Sequence, residues 1–480
     1  MLYHSTRSET PLVSGAEAVL RGLAPDGGLY VPQRLPEFSW EDCLTLDAQG
    51  QARVIAEAFL GDIPNMEDLV SRAYTGKFET ESLTPTAKVG STYVLELYRG
   101  PTSAFKDVAL SMLPQLLTAA KTHLGVTEEI RILTATSGDT GKAALEGFHD
   151  VPGLSICVFY PHGGVSQVQR AQMVTQEGSN VHVSAVEGNF DDAQTGVKDI
   201  FENTQGKPLP FRLSSANSIN IGRLVPQIMY YFRCYADLVI EGEIQKGQQV
   251  NFSVPTGNFG DILAGYLAKQ LGLPIGKLLC ASNANNVLTD FITTGTYDRR
   301  RELVKTTSPS MDILVSSNLE RLLYLLSGDT ALVQGLMEQL KQEGHYTVPP
   351  ALLGQIQADF YPGCCGDAQA AEAIGRVYAD THYLMDPHTA AGWVVAENYR
   401  KQTGDDRPMV VLSTASPYKF PEAVLSAIGG DVSGSEFDQM ERLQAITGVP
   451  IPRNLAGLRQ KPERHLTVIG KEQMMTFALG

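Results

Sequence analysis

Basic charge is scarce in this chain of 480 residues: 38 Lys and Arg face 53 Asp and Glu, for a formal net charge of −15. A broad electrostatic footprint for nucleic acid or an acidic membrane surface is therefore not expected, and an anionic ligand has to be caught locally. Cysteine is scarce too. The six residues, at 43, 157, 234, 280, 364 and 365, contain no CxxC pair, and only Cys364 and Cys365 are neighbours. This usage predicts reduced thiols in a cytoplasmic protein. No stretch approaches the roughly 18 apolar residues of a membrane helix. The opening MLYHSTRSETPLVSG lacks a charged segment followed by an apolar one, so export is not expected either. The 9 histidines show no HExxH or similar spacing, and no metal site is expected.

Two nucleotide-binding motifs are also missing. A Walker A loop ending at Gly141-Lys142 needs Gly where the chain has Thr136, and a hydroxyl residue where it has Ala143. The dinucleotide fingerprint GxGxxG is absent because no two of the 45 glycines stand two residues apart, which argues against a Rossmann dehydrogenase.

What is present belongs to a folded protein: 43% apolar and 19% charged residues, with 26 Pro dispersed rather than clustered. At roughly 150 residues per domain the length fits about three units. Residues 1–90 read as a leading domain of short helices and turns, with APDGGLYVP at 24–32. Beyond it, β-rich runs alternate with helical patterns: 130–136 before 142–148, 156–160 before 167–176, 181–186 before 190–201, and 252–255 before 262–271. Residues 296–380 are mostly helical in pattern, and 409–414 is a last strand candidate. The alternation predicts an α/β fold with parallel strands, in which ligands collect at the carboxyl ends of the strands.

Three Gly-rich loops fall at such ends: TATSGDTGK at 134–142, PHGGVSQ at 161–167 and VPTGNFGDI at 254–262. In the last, Gly257 and Gly260 let successive amides turn toward one phosphate without a Cβ in the way. The same loop also suits an ordinary βα turn with Asp261 as helix N-cap. A further segment, 99–121, carries Phe105, Val108, Met112, Leu113, Leu116 and Leu117 at helical spacing, with Pro114 predicting a kink. Lys106 lies in its first turn, at the edge of the apolar face. Burial and the positive end of the helix dipole both lower an ammonium pKa there, as Schiff-base chemistry requires. A lone lysine more commonly snorkels to solvent. Beside a phosphate loop and an SGDTG loop, it completes the parts of a pyridoxal phosphate enzyme.

The segments PTSAFKD (101–107), TSGDTG (136–141), NSIN followed by Arg223 (217–223), TGNFGD (256–261), STASPYKF (413–420) and the N-terminal APDGGLYVP together resemble the threonine synthase family of the longer fungal and enterobacterial type. The resemblance runs in the family's order over nearly the whole chain. It implies an α/β protein of fold type II among pyridoxal phosphate enzymes, similar to the tryptophan synthase β subunit. It also implies an N-terminal domain over 1–90, a large and a small α/β domain with parallel-rich sheets over 91–420, and a C-terminal extension over 421–480 packing on the large domain. The implied cofactor is pyridoxal 5′-phosphate. The implied reaction converts O-phospho-L-homoserine and water to L-threonine and phosphate.

By that resemblance Lys106 matches the catalytic lysine that bonds the cofactor. Gly257, Asn258, Phe259, Gly260 and Asp261 match the cofactor phosphate loop, and Thr414 the hydroxyl residue facing the pyridine nitrogen. Ser137, Gly138, Asp139, Thr140 and Gly141 match the loop that receives the substrate carboxylate, with Asp139 also approaching the cofactor O3′. For the substrate phosphate the candidates are Arg223, with Ser103, Asn217 and Ser218 as further donors, and Arg99 as second choice. Ion pairs and helix caps are the competing readings for these arginines and for Asn217 and Asn220.

Two departures from the family stand out. Asp139 occupies a position that is Asn in many fold type II relatives, and Ser416 and Tyr418 stand where close relatives carry His and Ala. His162 and the YLMDPH segment at 383–388 are assigned no chemistry, and Arg299-Arg300-Arg301 reads as a solvated face. The rival functions are a serine/threonine dehydratase or cysteine synthase-like lyase, and a catalytically inactive synthase-like binding protein. The leading domain and the retained Lys106 stand against them. No macromolecular partner is implied, and monomer and homodimer both stay open.

Overall fold

A computed structural model describes residues 1–204 and 206–480. Strands β1 (Leu2–Ser5), β2 (Ser8–Ser14) and β3 (Tyr30–Pro32) form a small antiparallel sheet in the order β2-β1-β3, followed by the helices Ala48–Leu60 and Met66–Tyr74. Next come β4 (Thr86–Val89) and β5 (Thr92–Glu96), an antiparallel pair. Strand β4, inside the 1–90 span expected for the leading domain, pairs with β5 at the edge of a larger sheet.

The four predicted βα units are all present. Strand β6 (Glu129–Ala135) precedes the helix Asp139–Phe148, β7 (Leu154–Pro161) precedes Gln167–Val174, and β8 (Val181–Val186) precedes Phe190–Thr204. After β9 (Phe211–Ser214), strand β10 (Val250–Pro255) precedes the helix Gly260–Gln270 and β11 (Ile275–Ser282). The mostly helical stretch holds a short antiparallel pair, β12 (Thr296–Asp298) with β13 (His345–Thr347), and one strand that its composition conceals, β14 (Phe360–Cys364). This FYPGC run tolerates Pro362 because β14 lies at a sheet edge, where a missing N–H costs little. Strands β15 (Met409–Ser413) and β16 (Val468–Ile469) complete the set.

Two sheets organise the molecule. One has the order β14-β11-β10-β15-β5-β4 and is parallel apart from its β4 edge. The other has the order β16-β8-β7-β6-β9 and is parallel throughout. Every residue of β7, β10 and β15 is buried, the mark of strands covered by helices on both faces.

In the first sheet the chain leaves β10 toward β11 while β15 lies on its other side. In the second it leaves β6 toward β7 while β9 lies opposite. Each arrangement opens a crevice at the carboxyl ends, where ligands of such sheets bind. The loops after β10, β15, β6 and β9 are 256–259, 414–420, 136–138 and 215–220, which carry most of the predicted site.

The helix Lys106–His123 follows β5 and packs on Asp139–Phe148, which follows β6. Their backbones meet so closely at Gly147 that a Cβ there would lie 1.9 Å from Leu110 O. The extension after 420 bridges both sheets. Met440, Leu443, Leu455 and Leu458 join the core beside Val94 and Val411 of the first sheet, while β16 adds a strand to the second.

Candidate active site

Lys106 opens its helix and is 7% exposed. The approach to it is laced to the segment after β15: Phe105 N–H donates to Thr414 O (2.8 Å), Ser416 N–H donates to Ser103 O (3.1 Å), and Ala104 bridges Ala415. Ser103 takes a φ of 60°, a left-handed conformation that costs a residue with a Cβ about 1 kcal/mol. Asp107 fixes the same turn by accepting the Thr102 N–H (2.8 Å) and hydroxyl (2.5 Å).

The Lys106 amine lies 4.5 Å from the Phe105 ring centroid and reaches Ser310 Oγ at 3.5 Å. Burial lowers its pKa to about 8. The Asp139 carboxylate opposes that shift, and the Arg223 and Lys419 charges add to it. The neutral amine needed for proton transfer or carbonyl attack is thus accessible near physiological pH.

Asp139 begins the helix after β6, behind Gly138 at φ 143°, a value that favours glycine. Its Oδ1 accepts from Lys419 Nζ at 2.6 Å and from Gln169 Nε2 at 2.9 Å. Burial alone would push the carboxyl up, but Lys419 and Lys106 outweigh it and hold Asp139 well below the usual carboxylate range. Thr136 Oγ1 accepts Gly138 N–H (3.0 Å) and Gly141 N–H (2.9 Å), which shapes the loop around this carboxylate.

Across the crevice, the 256–259 turn leads into the helix Gly260–Gln270, whose free N-terminal amides suit an anion. The helix starts two residues before the predicted position, and its cap is Phe259 in the left-handed conformation at φ 63°, not Asp261. The Asp261 carboxylate instead accepts from Tyr230 OH (2.5 Å) and Tyr231 OH (3.1 Å), and burial pushes it up to about 6. Gly257 is required here because a Cβ would lie 2.7 Å from Ser310 O. Ser316 Oγ donates to Gly257 O (2.7 Å), and Asn318 N–H donates to Asn258 O (3.1 Å). Asn318 also donates to Ser218 O (3.2 Å), which ties this loop to the one after β9.

Arg223 is buried there, with Nη1 donating to Ala216 O (2.6 Å) and Nε left without a partner. A buried guanidinium with a free donor is a cation waiting for an anion, and burial lowers it to about 10.

Residues 2–74 match the family described as Threonine synthase N terminus, residues 75–340 the one described as Pyridoxal-phosphate dependent enzyme, and residues 389–476 Threonine synthase, C-terminal. The chain is 40% identical over 480 residues to a threonine synthase of Pseudomonas aeruginosa, covering 98% of this chain and 96% of that one. The chain belongs to the threonine synthase family. It is also 39% identical over 457 residues to human threonine synthase-like 1, covering 91% of this chain, and it spans only 61% of that longer protein. The crystal structure of a threonine synthase from Brucella melitensis with PLP bound has a TM-score of 0.87 to this fold at 39% identity, covering 100% of both chains. The fold is accordingly type II of the pyridoxal phosphate enzymes.

The residues present fit that cofactor. A buried lysine amine, a glycine turn with no room for a Cβ and free helix amides are the donor set for an aldehyde and a phosphate. Of the residues expected from the threonine synthase pattern, the structure brings Asp139 and Arg223 each within electrostatic reach of Lys106. Gly257 lies against Ser310, Asn258, Gly260 and Ser218 are joined through Asn318, and the buried Thr414 accepts the Phe105 N–H.

Others are placed less directly. Ser103 Oγ is engaged by Asn454 (2.9 Å), and Asn217 is exposed. Asn220 caps the short helix Ile221–Leu224 through Gly222 N–H (2.9 Å). Arg99 is paired with Glu96 (2.6 Å) and Glu79 (3.1 Å), an ordinary ion-pair role.

Three residues escaped the sequence reading: Lys419, Ser310 and His388. Lys419 sat in plain view within STASPYKF. His388 accepts Ser310 N–H at Nε2 (3.2 Å) and pairs at Nδ1 with Asp386 (2.6 Å), so YLMDPH braces the Lys106 partner. In the second family departure, Ser416 is wholly buried in the turn and the Tyr418 hydroxyl donates to Val449 O.

Proposed function

We propose that the chain is a threonine synthase acting on O-phospho-L-homoserine. The observation that carries this reading is the juxtaposition of a buried, easily deprotonated Lys106 with an unsatisfied buried Arg223. Pyridoxal phosphate supplies the electron sink that stabilises negative charge on the bound amino acid. The Gly257–Asp261 turn would hold its phosphate through backbone amides, and Thr414 would offer a hydroxyl to its ring nitrogen. Such a partner withdraws electrons less strongly than a carboxylate.

The protein's own groups then handle binding and protons. Ser137, Gly138 and Thr140 take the substrate carboxylate at the N-terminus of the Asp139 helix, where free amides favour an anion. Arg223 Nε, assisted by Ser218, takes the substrate phosphate. Lys106 moves protons at Cα, Cβ and Cγ in turn, which suits an amine on a flexible stem better than a rigid carboxylate. Phosphate leaves from Cγ, and the hydroxyl of water adds at Cβ.

Steady-state assay of the purified protein tests the reading: phosphate and threonine should form in equal amounts. Formation of neither from phosphohomoserine would favour a synthase-like binding role instead, the alternative raised by the likeness to threonine synthase-like 1.

A further inference from the structure

Lys419 is wholly enclosed, and nothing in the chemistry above uses it. A buried ammonium is costly unless paired, and this one lies 2.6 Å from Asp139 Oδ1 and 3.2 Å from Thr102 O. Gln169 donates to the same Asp139 oxygen. Among the described residues no hydrogen bond joins Asp139 to Lys106, although each feels the other's charge strongly. The charged groups around Lys106 are Asp139, Arg223, Lys419 and Asp107, with Asp261 sensing it from the phosphate loop.

We propose that Lys419 is a positioning residue for the reaction: it shares the single negative charge of Asp139 with Lys106, so that Lys106 gives up its proton more readily than a lone Lys–Asp pair would. The inference rests on Lys106 being the reactive lysine. Its sign follows from Coulomb attraction. Asp139 favours the charged form of Lys106, and Lys419 opposes it less strongly, so removing either partner moves Lys106 in opposite directions.

The visible absorbance of bound pyridoxal phosphate reports protonation at the Lys106 nitrogen, so a pH titration of the holoenzyme reads the effect. Lys419→Met should raise the midpoint by about one pH unit, a tenfold change in proton affinity, and Asp139→Asn, which removes the stronger of the two influences, should lower it by more than that. The Asp139→Asn/Lys419→Met double variant removes both members of the pair, so that neither is left buried alone, and guards against loss of folding in the single variants. Its midpoint should lie below wild type and above Asp139→Asn. Unmoved midpoints, single variants shifting in the same direction, or a double variant at or above wild type would overturn the proposal. A wild type without the visible band, or a band that persists in Lys106→Ala, would overturn the reading of Lys106 itself.

Discussion

Lys106 carries the most direct consequences at the scale of single residues. With its pKa lowered to about 8, the neutral amine grows as pH rises through that value, whereas an ordinary lysine, near 10.5, would still be almost wholly charged. The rate at which cofactor-free protein captures pyridoxal phosphate should therefore rise with pH and level off above about 8. Lys106→Ala should lower turnover by a factor on the order of 10³ or more, read as phosphate release. Arg223→Gln should raise KM for phosphohomoserine at least tenfold, roughly 1.4 kcal/mol, while leaving the cofactor absorbance in place. The unusual settings of Lys106 and Gly257 were legible in the sequence, because a lysine on an apolar helix face and a glycine-rich turn are anomalies of residue type. Lys419 was not, since the carboxylate that gives it meaning belongs to a distant helix. His388 was likewise hidden: its only signature, a DPH before a helix, reads as capping, and Asp386 does cap the helix Pro387–Thr403.

Among the elements, close backbone approaches decide the geometry. At Gly257, where an added Cβ would meet Ser310 O at 2.7 Å, alanine should weaken cofactor binding about tenfold, measured by titrating the absorbance, and should cost about 1 kcal/mol or more of stability. At Gly147 the obstacle is Leu110 O at 1.9 Å, so Gly147→Ala should prise apart the helices that present Lys106 and Asp139. It should cost about 2 kcal/mol or more in urea unfolding. The α/β alternation was readable because buried parallel strands are continuous apolar runs. Strand ends and edges were harder. β4 and β5 are short, β14 contains Pro362 and Gly363, and the helix after β10 begins on a left-handed Phe259 that no propensity rule anticipates.

For the molecule as a whole, the leading unit is part of the site's foundation. Arg321, fully buried, donates to Tyr30 O (2.9 Å) and Ile219 O (2.5 Å) and pairs with Asn318, whose amide supports the phosphate turn. Arg321→Met leaves those acceptors unpaired and should cost about 3 kcal/mol in a denaturant titration. The net charge of −15 says nothing of this interior, where Lys106, Lys419 and Arg223 lie together. The sharpest test of the proposed reaction uses phosphohomoserine in water enriched in heavy oxygen. Elimination at Cγ with addition at Cβ puts the label in the hydroxyl of threonine and none in phosphate, and Lys106→Ala makes neither product. Labelled phosphate with homoserine would mean simple hydrolysis of the ester, and would contradict the threonine synthase reading.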